Sequence, residues 1–361
     1  MKHLRHNMKT INTLALLMWS ALLTMPLLAQ DKAAEEDATT EEGFDIVAMG
    51  QDKVAQYASG EKPWWGMKVA YSPWFVQWQQ TSTAANRFGG DAINVDYTID
   101  GAIAHSARIE FNLFDAGADL NLVELPKGSA GEGQALSYLS MGVNYTELVG
   151  DTALHYRFEK GSFTGFINGA DNAGNIGTGT FETDVASHDI ALLTRWGIGI
   201  GYRSFTYEVP QDVYLINTSS RALLQSGFVD MNYDADFYTL IFTRDELLKK
   251  DTANFNLGLE LRYGIGTMTP SSDFVDQTKQ ALRDGDLDDN IIEDADASFL
   301  ELDVYAYMPL FPVATVTSEL RAGYRSNTLT ANFGEGSGDY ALVTDFETEF
   351  SGPYVALSAE F

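Results

Sequence analysis

From Trp64 to the last residue, apolar and polar side chains alternate with a period of two in segment after segment, as strands with two unlike faces do. In 253–268, Phe255, Leu257, Leu259, Leu261, Tyr263 and Ile265 oppose Asn254, Asn256, Gly258, Glu260, Arg262 and Gly264. In 297–308, Leu300, Leu302, Val304, Ala306 and Met308 oppose Glu301, Asp303, Tyr305 and Tyr307. Ile109, Phe111 and Leu113 oppose Arg108, Glu110 and Asn112; in 189–208, Leu192, Trp196, Ile198, Ile200 and Tyr202 oppose Arg195, Gly197, Gly199, Gly201 and Arg203. A soluble sandwich also alternates in this way. Two details point elsewhere. The apolar faces end in aromatics, where a membrane interface would lie. The polar faces favour Arg and Gly over Lys, the usual solvent-facing charge on strands; an interior holding charge with little water suits the planar, multiply hydrogen-bonding guanidinium.

The pattern predicts strands at 66–80, 103–115, 118–126, 135–147, 152–165, 178–187, 189–208, 232–246, 253–268, 297–308, 313–328 and 344–361. Short connections (115–117, 149–151, 248–252, 309–312) alternate with long ones (81–102, 127–134, 166–177, 209–231, 269–296, 329–343). Short turns at one end and long loops at the other, with an even strand number, are what a membrane barrel shows. The fold class expected is therefore all-β: a transmembrane antiparallel up-and-down β-barrel of about twelve strands, with 63–361 as one domain and both termini at the short-turn, periplasmic end. Ten to fourteen strands fit, because 92–99 reads as an extra strand and 178–187 is weakly patterned.

The final strand runs Gly352-Pro353-Tyr354-Val355-Ala356-Leu357-Ser358-Ala359-Glu360-Phe361. Val355, Leu357, Ala359 and Phe361 share one face; Tyr354, Ala356, Ser358 and Glu360 share the other. This stretch resembles the closing strand of bacterial outer-membrane β-barrels, whose alternating apolar positions and terminal Phe are read by the barrel-insertion machinery. The resemblance implies a Gram-negative outer-membrane location, with lipid, lipopolysaccharide and that machinery as partners.

The start of the chain agrees. Residues 1–29 read as a secretory signal peptide, with Lys2, Arg5 and Lys9 ahead of a mostly apolar run to Leu28 and a small residue, Ala29, at the cleavage site. No cysteine is present, so neither a lipid-anchored cysteine nor a disulfide framework is available. After the leader no run of eighteen apolar residues occurs, so no transmembrane helix is expected. Residues 30–62 differ from the rest. Asp31–Glu42 is acidic and reads as disordered; 43–59 suits a short amphipathic helix, periplasmic or entering the barrel, and Asp45-Ile46-Val47-Ala48 faintly resembles a TonB box. A net charge of −28 argues against a nucleic-acid partner.

The polar faces carry the candidate chemistry. Arg108, Arg157, Arg195, Arg203, Arg262, Arg321 and Arg325 share them with Glu110, Glu159, Glu260, Glu301, Asp303, Glu319 and Glu360. Two readings stay open. The arginines form a track for an anionic solute through a narrow pore, or equal numbers of opposite charges pair across the lumen and hold its shape. Strand number and arginine-rich faces resemble, in general terms and without a shared motif, the twelve-stranded channels for acidic sugars. The expected function is porin-like: passive diffusion of small hydrophilic solutes, in its sharper form anionic ones. The rivals are a non-conducting structural or partner-binding barrel, a secreted soluble β-protein and an outer-membrane hydrolase. Of the histidines after the leader, His105 stands near the outer end of its strand and His188-Asp189 at an expected periplasmic turn. No Gly-x-Ser-x-Gly or His-Glu-x-x-His occurs, and no enzyme is expected. The acidic loop 284–296 fails the Ca²⁺-loop pattern, since Asp289 and Ala295 stand where Gly and Glu are needed. It is at most a loose surface site for Ca²⁺ or Mg²⁺ against lipopolysaccharide phosphates; otherwise no cofactor is expected.

Overall fold

Alternation over ten to twenty residues makes strands, and a run of strands with two unlike faces has to hide both its edges. In a computed structural model of the chain they do so by closing on themselves. The structure describes residues 65–84, 93–125, 135–149, 152–171, 176–208, 214–217, 223–226, 232–245, 247, 255–284, 294–310, 316–333 and 343–361. The strands are β1 (Trp65–Ala84), β2 (Ile93–Leu113), β3 (Ala116–Leu125), β4 (Ala135–Val149), β5 (Thr152–Asp171), β6 (Ile176–Thr194), β7 (Ile198–Glu208), β8 (Tyr214–Asn217), β9 (Leu223–Ser226), β10 (Asn232–Arg244), β11 (Asn256–Pro270), β12 (Ala295–Pro309), β13 (Thr317–Asn332) and β14 (Val343–Glu360). Twelve build the wall. Each pairs antiparallel with its neighbour in the chain, β7 with β10, and β14 returns to β1 from Lys68↔Glu360 to Ala84↔Val343. The small β8–β9 hairpin joins the long-loop end of β6 through Gly177↔Asn217. The β3–β4 hairpin stops short. Beyond it β2 pairs directly with β5, Ile93↔Asp171 to Thr98↔Phe166, so the wall loses two strands on that side.

Polarity inverts along each strand. On β1 the outward positions from the short-turn end are Trp65, Met67, Val69, Tyr71, Pro73 and Phe75, then Gln77, Gln79 and Thr81. The inward positions run Lys68, Ala70 and Ser72, then Trp74, Val76 and Trp78. On β12 the outward series Met308, Ala306, Val304, Leu302, Leu300 passes into Ser298 and Asp296, while inside Asp303 and Glu301 give way to Phe299, Ala297 and Ala295. On β14, Leu357 and Val355 pass into Glu349 and Glu347, while Ser358 and Ala356 give way to Phe350 and Phe346. The half nearer the short turns is apolar outside and polar inside, as in lipid. The half nearer the long loops is polar outside and apolar inside, as in water. The apolar outer belt is edged by exposed aromatics at both ends: Trp65, Phe114, Tyr145, Trp196, Phe255 and Phe361 below, Phe75, Tyr202, Tyr238, Tyr263 and Tyr324 above. A closed wall with a lipid-compatible belt and two aromatic girdles is the build of an outer-membrane β-barrel. Phe361 closes the lower seam, its N–H donating to Met67 O at 2.9 Å.

The structure extends strands into the expected long connections, with β2 starting at Ile93 in 81–102, β5 ending at Asp171 in 166–177 and the β8–β9 hairpin in 209–231, and it moves one turn. The expected turn near His188 does not occur. β6 runs through it to Thr194, and the turn lies at 195–197, inside the predicted strand 189–208. Gly197 has φ +77°, where an added Cβ would meet the Thr243 carbonyl, and Thr243 N–H donates to Gly197 O at 2.7 Å. Only glycine accepts that geometry without strain. Gly197→Ala is expected to lower the unfolding free energy by about 1–2 kcal/mol, read from the urea midpoint in detergent; an unchanged midpoint would mean that the turn relaxes. The loop expected at 269–296 contains α1 (Ser272–Asp284), with Val275 buried and Arg283 in the last turn. The leader 1–29, the extension 30–62 with its helix and TonB-box-like stretch, and 285–293 of the acidic loop lie outside the described residues.

Candidate functional site

The strand registers stack the interior in three levels. Nearest the short turns, several inward positions are glycine, and neighbouring side chains lie flat over them: Asn112 and Asn144 over Gly117, Asp119 over Gly142, the Tyr305 ring over Gly258. Flattened side chains leave the centre free, and the inward-facing Asn112, Glu260 and Glu360 are exposed. Among the described residues this end is a polar vestibule.

The middle level is an ion-pair network. Arg203, buried on β7, donates to Glu159 Oε2 on β5 at 2.6 Å, to Ser187 Oγ at 3.2 Å and to Glu301 Oε1 on β12. Ser187 donates to Glu159 Oε2 at 3.0 Å, and Asn327 to Glu301 Oε1 at 3.4 Å. Arg262 pairs with buried Asp189 and lies 3.9 Å from Glu301. Arg325 donates twice to Asp303 Oδ2, at 2.8 and 3.2 Å, while Tyr354 donates to the other oxygen at 2.8 Å. Arg321 contacts Glu319 at 3.3 Å, Arg108 contacts Glu110 at 3.0 Å and Asp119 at 3.6 Å, and Arg157 stands 3.8 Å from Glu159. Aromatic faces carry several of these cations: Tyr305 under Arg321 at 4.0 Å, Tyr354 under Arg325 at 4.9 Å, Phe299 beside Arg203 at 5.1 Å.

The level nearest the long loops is an apolar core. Trp78 of β1 stacks on Phe163 of β5 at 5.9 Å and on its cross-strand partner Phe350 of β14 at 5.7 Å, and Phe163 lies tilted on Phe350 at 4.9 Å. Tyr207 of β7 packs on Phe346 of β14 at 5.4 Å, and Tyr233 of β10 on the same ring at 5.9 Å. Tyr207 also donates its hydroxyl to Gln80 of β1, the strand diametrically opposite in the ring of twelve. Opposite walls therefore touch. Trp78, Phe163, Tyr207, Phe237 and Met268 are all almost fully buried. Between this core and the network lies a cavity of about 280 Å³.

The structure turns Arg108, Glu110, Arg157, Glu159, Arg203, Glu260, Arg262, Glu301, Asp303, Glu319, Arg321 and Arg325 inward, and it joins most of them in pairs. Glu360 faces inward at the rim. Arg195 does not join them: it sits in the exposed turn, its guanidinium 5.1 Å from the Trp196 ring. Val355, Leu357, Ala359 and Phe361 face outward in the belt, with Val355, Leu357 and Phe361 exposed. Asp119 and Asp189 belong to the interior as well, paired with Arg108 and Arg262; Asp189 lies where the alternation places a turn. His105 and His188 face outward, each ring nitrogen Nδ1 meeting a tyrosine hydroxyl, Tyr71 at 2.7 Å and Tyr156 at 2.8 Å; His155 faces inward on β5.

No family model matches the chain, and no curated protein matches it. Among solved structures it is similar to the outer membrane protease OmpT from Escherichia coli, at 9% identity and TM-score 0.31 over 82% of this chain and 97% of that one. It is similar to the translocator domain of the autotransporter NalP from Neisseria meningitidis, at 11% identity and TM-score 0.39 over 86% and 94%. The toluene transporter TodX from P. putida matches at 6% identity and TM-score 0.32 over 83% and 90%.

Proposed function

We propose that this outer-membrane barrel is a sealed one in its resting state: it admits small molecules into its interior from the short-turn, periplasmic side and bars free diffusion of hydrophilic solutes. This reading replaces the open porin-like pore expected from alternation alone. The observation that carries it is the meeting of distant walls in the outer half, above all Tyr207 of β7 with Gln80 of β1 and Phe346 of β14, beside which Trp78, Phe163 and Phe350 fill the interior. Hydrated ions need a continuous polar path, and this level offers them aromatic surface. The paired charges below it support the second reading of the arginines, in which they hold the barrel's shape. His105 and His188, on the outer girdle with tyrosine partners, take an interfacial part in this reading, and no catalytic step is assigned to them.

The test is single-channel recording of the purified protein in a planar bilayer under a salt gradient. Folded protein, shown by heat-modifiable gel mobility, is expected to stay silent. The triple variant Trp78→Ala, Phe163→Ala, Tyr207→Ala is expected to give discrete conductance steps. Stable conductance from the unaltered protein would sink the proposal and restore the porin-like reading, with the reversal potential then giving its ion preference.

A further inference from the structure

We infer that the cavity between the ion-pair network and the apolar core is a binding site for a small amphiphilic anion: one carboxylate on an aromatic or short aliphatic body. The inference rests on the sealed lumen proposed above, which leaves the cavity closed on its long-loop side. At about 280 Å³ it falls just under the roughly 300–1,000 Å³ of common small-molecule pockets, so the ligand is small.

Its two walls differ in kind. Toward the long loops it is bounded by Trp74, Phe163, Phe205, Phe237, Phe299 and Phe350. Toward the vestibule it is bounded by Arg108, Arg157, Arg203, Arg325 and Glu260, among other polar groups. A wholly polar solute would face the aromatic wall, and a wholly apolar one would strip water from charged groups without replacing it. An amphiphile satisfies both.

The sign of the head group follows from which charges stand open. Arg108 is 44% exposed against 30% for Glu110 and 16% for Asp119. Arg157 is 39% exposed against 12% for Glu159, and Arg325 42% against 10% for Asp303. In these three pairs the guanidinium is the more open partner, whereas the buried Arg203 is less open than Glu159 and Glu301. On this wall Glu260 is an exposed carboxylate, set against an exposed Arg108 and the half-buried Arg157 and Arg325. Arg203 adds a buried Nε–H without an acceptor among the described residues, a donor suited to an anion's oxygen. Arg157, whose ion pair among the described residues is one 3.8 Å contact with Glu159, is free to turn toward a ligand. The exposed vestibule residues Asn112 and Glu260 mark the approach from the short-turn end.

The experiment is calorimetric titration of the full chain in nanodiscs with 3-phenylpropionate, 3-phenylpropanol and 3-phenylpropylamine, which share a body and differ in head group. The acid is expected to bind saturably, about tenfold or more tighter than the alcohol, with no saturable binding of the amine. Arg157→Gln is expected to weaken the acid about tenfold and leave the alcohol unchanged. Phe205→Asn is expected to weaken acid and alcohol alike. Absence of saturable acid binding, equal affinity for acid and alcohol, or an Arg157→Gln variant that binds the acid as before would each overturn the inference. Conductance of the same preparation separates the two proposals: a silent barrel that does not bind the acid refutes this site alone, whereas a conducting barrel that binds it refutes only the seal.

Discussion

Replacing Arg203 with alanine is expected to lower the barrel's unfolding free energy by about 3–5 kcal/mol, the usual cost of removing one member of a buried charge cluster. Arg203 is almost fully buried and is the shared partner of Glu159 and Glu301, which come from different parts of the wall. Without it, Glu159 keeps Ser187 at 3.0 Å and a distant Arg157, and Glu301 keeps Asn327 and Arg262. Two carboxylates would then share an interior that neutralises them poorly. The measurement is urea-induced unfolding in detergent, followed by heat-modifiable mobility and near-ultraviolet circular dichroism. The triple change Arg203→Met, Glu159→Gln, Glu301→Gln removes all three charges and is expected to recover most of the loss, because neutral groups of similar size avoid the desolvation cost. A loss under about 1 kcal/mol for Arg203→Ala would mean that water reaches the cluster freely, and the interior would have to be redrawn as open.

The place of this network follows from the two solvents outside the wall. In the apolar belt, lipid accepts the outward side chains and the inner face is free to be polar. Beyond the upper girdle the outside is water, so that part of the wall is held by burying apolar surface inside it. The charges at Arg203, Glu301 and Asp303 therefore lie where the outside is apolar, and the aromatic core lies where the outside is Gln77, Glu349, Ser298 or Thr267. The cavity forms where one interior gives way to the other, which is why its walls differ.

Much of this was written in the alternation. The twelve-strand wall, its antiparallel order and the inner faces of β11 and β12 follow from the period of two. The inversion is equally legible in runs such as Phe75-Val76-Gln77-Trp78 and Leu300-Phe299-Ser298, where the apolar phase changes face. The turn at 195–197 escaped because Trp196, Ile198 and Ile200 keep the alternating pattern across it; the sign lay in Gly197, whose φ only the folded hairpin reveals. The pairing of Arg203 with two distant strands escaped for a different reason. Strand faces are local, whereas a partner across the lumen is set by register and by how far opposite walls approach. The helix α1 was hidden by its acidic surroundings, although its apolar residues fall at helical spacing.

Whether the belt lies in lipid is tested most sharply by charge on its outer face. Leu240 is exposed on β10 between Tyr238 and Phe242 and pairs with exposed Ile200. Leu240→Arg is expected to cost about 2–4 kcal/mol, the penalty for a guanidinium at the membrane midplane. Thr267, one strand away and above the upper girdle, is flanked by Asp236 and Asp296 across its two neighbours. Thr267→Arg is expected to cost about 0–1 kcal/mol, with the two carboxylates drawing the balance toward stabilisation. The same substitution thus separates the two halves of the wall. Unfolding in liposomes gives both numbers, and the comparison removes the detergent's influence. Equal small costs at the two positions would take Leu240 out of the bilayer and with it the belt, since a water-facing strand accepts an arginine at either place.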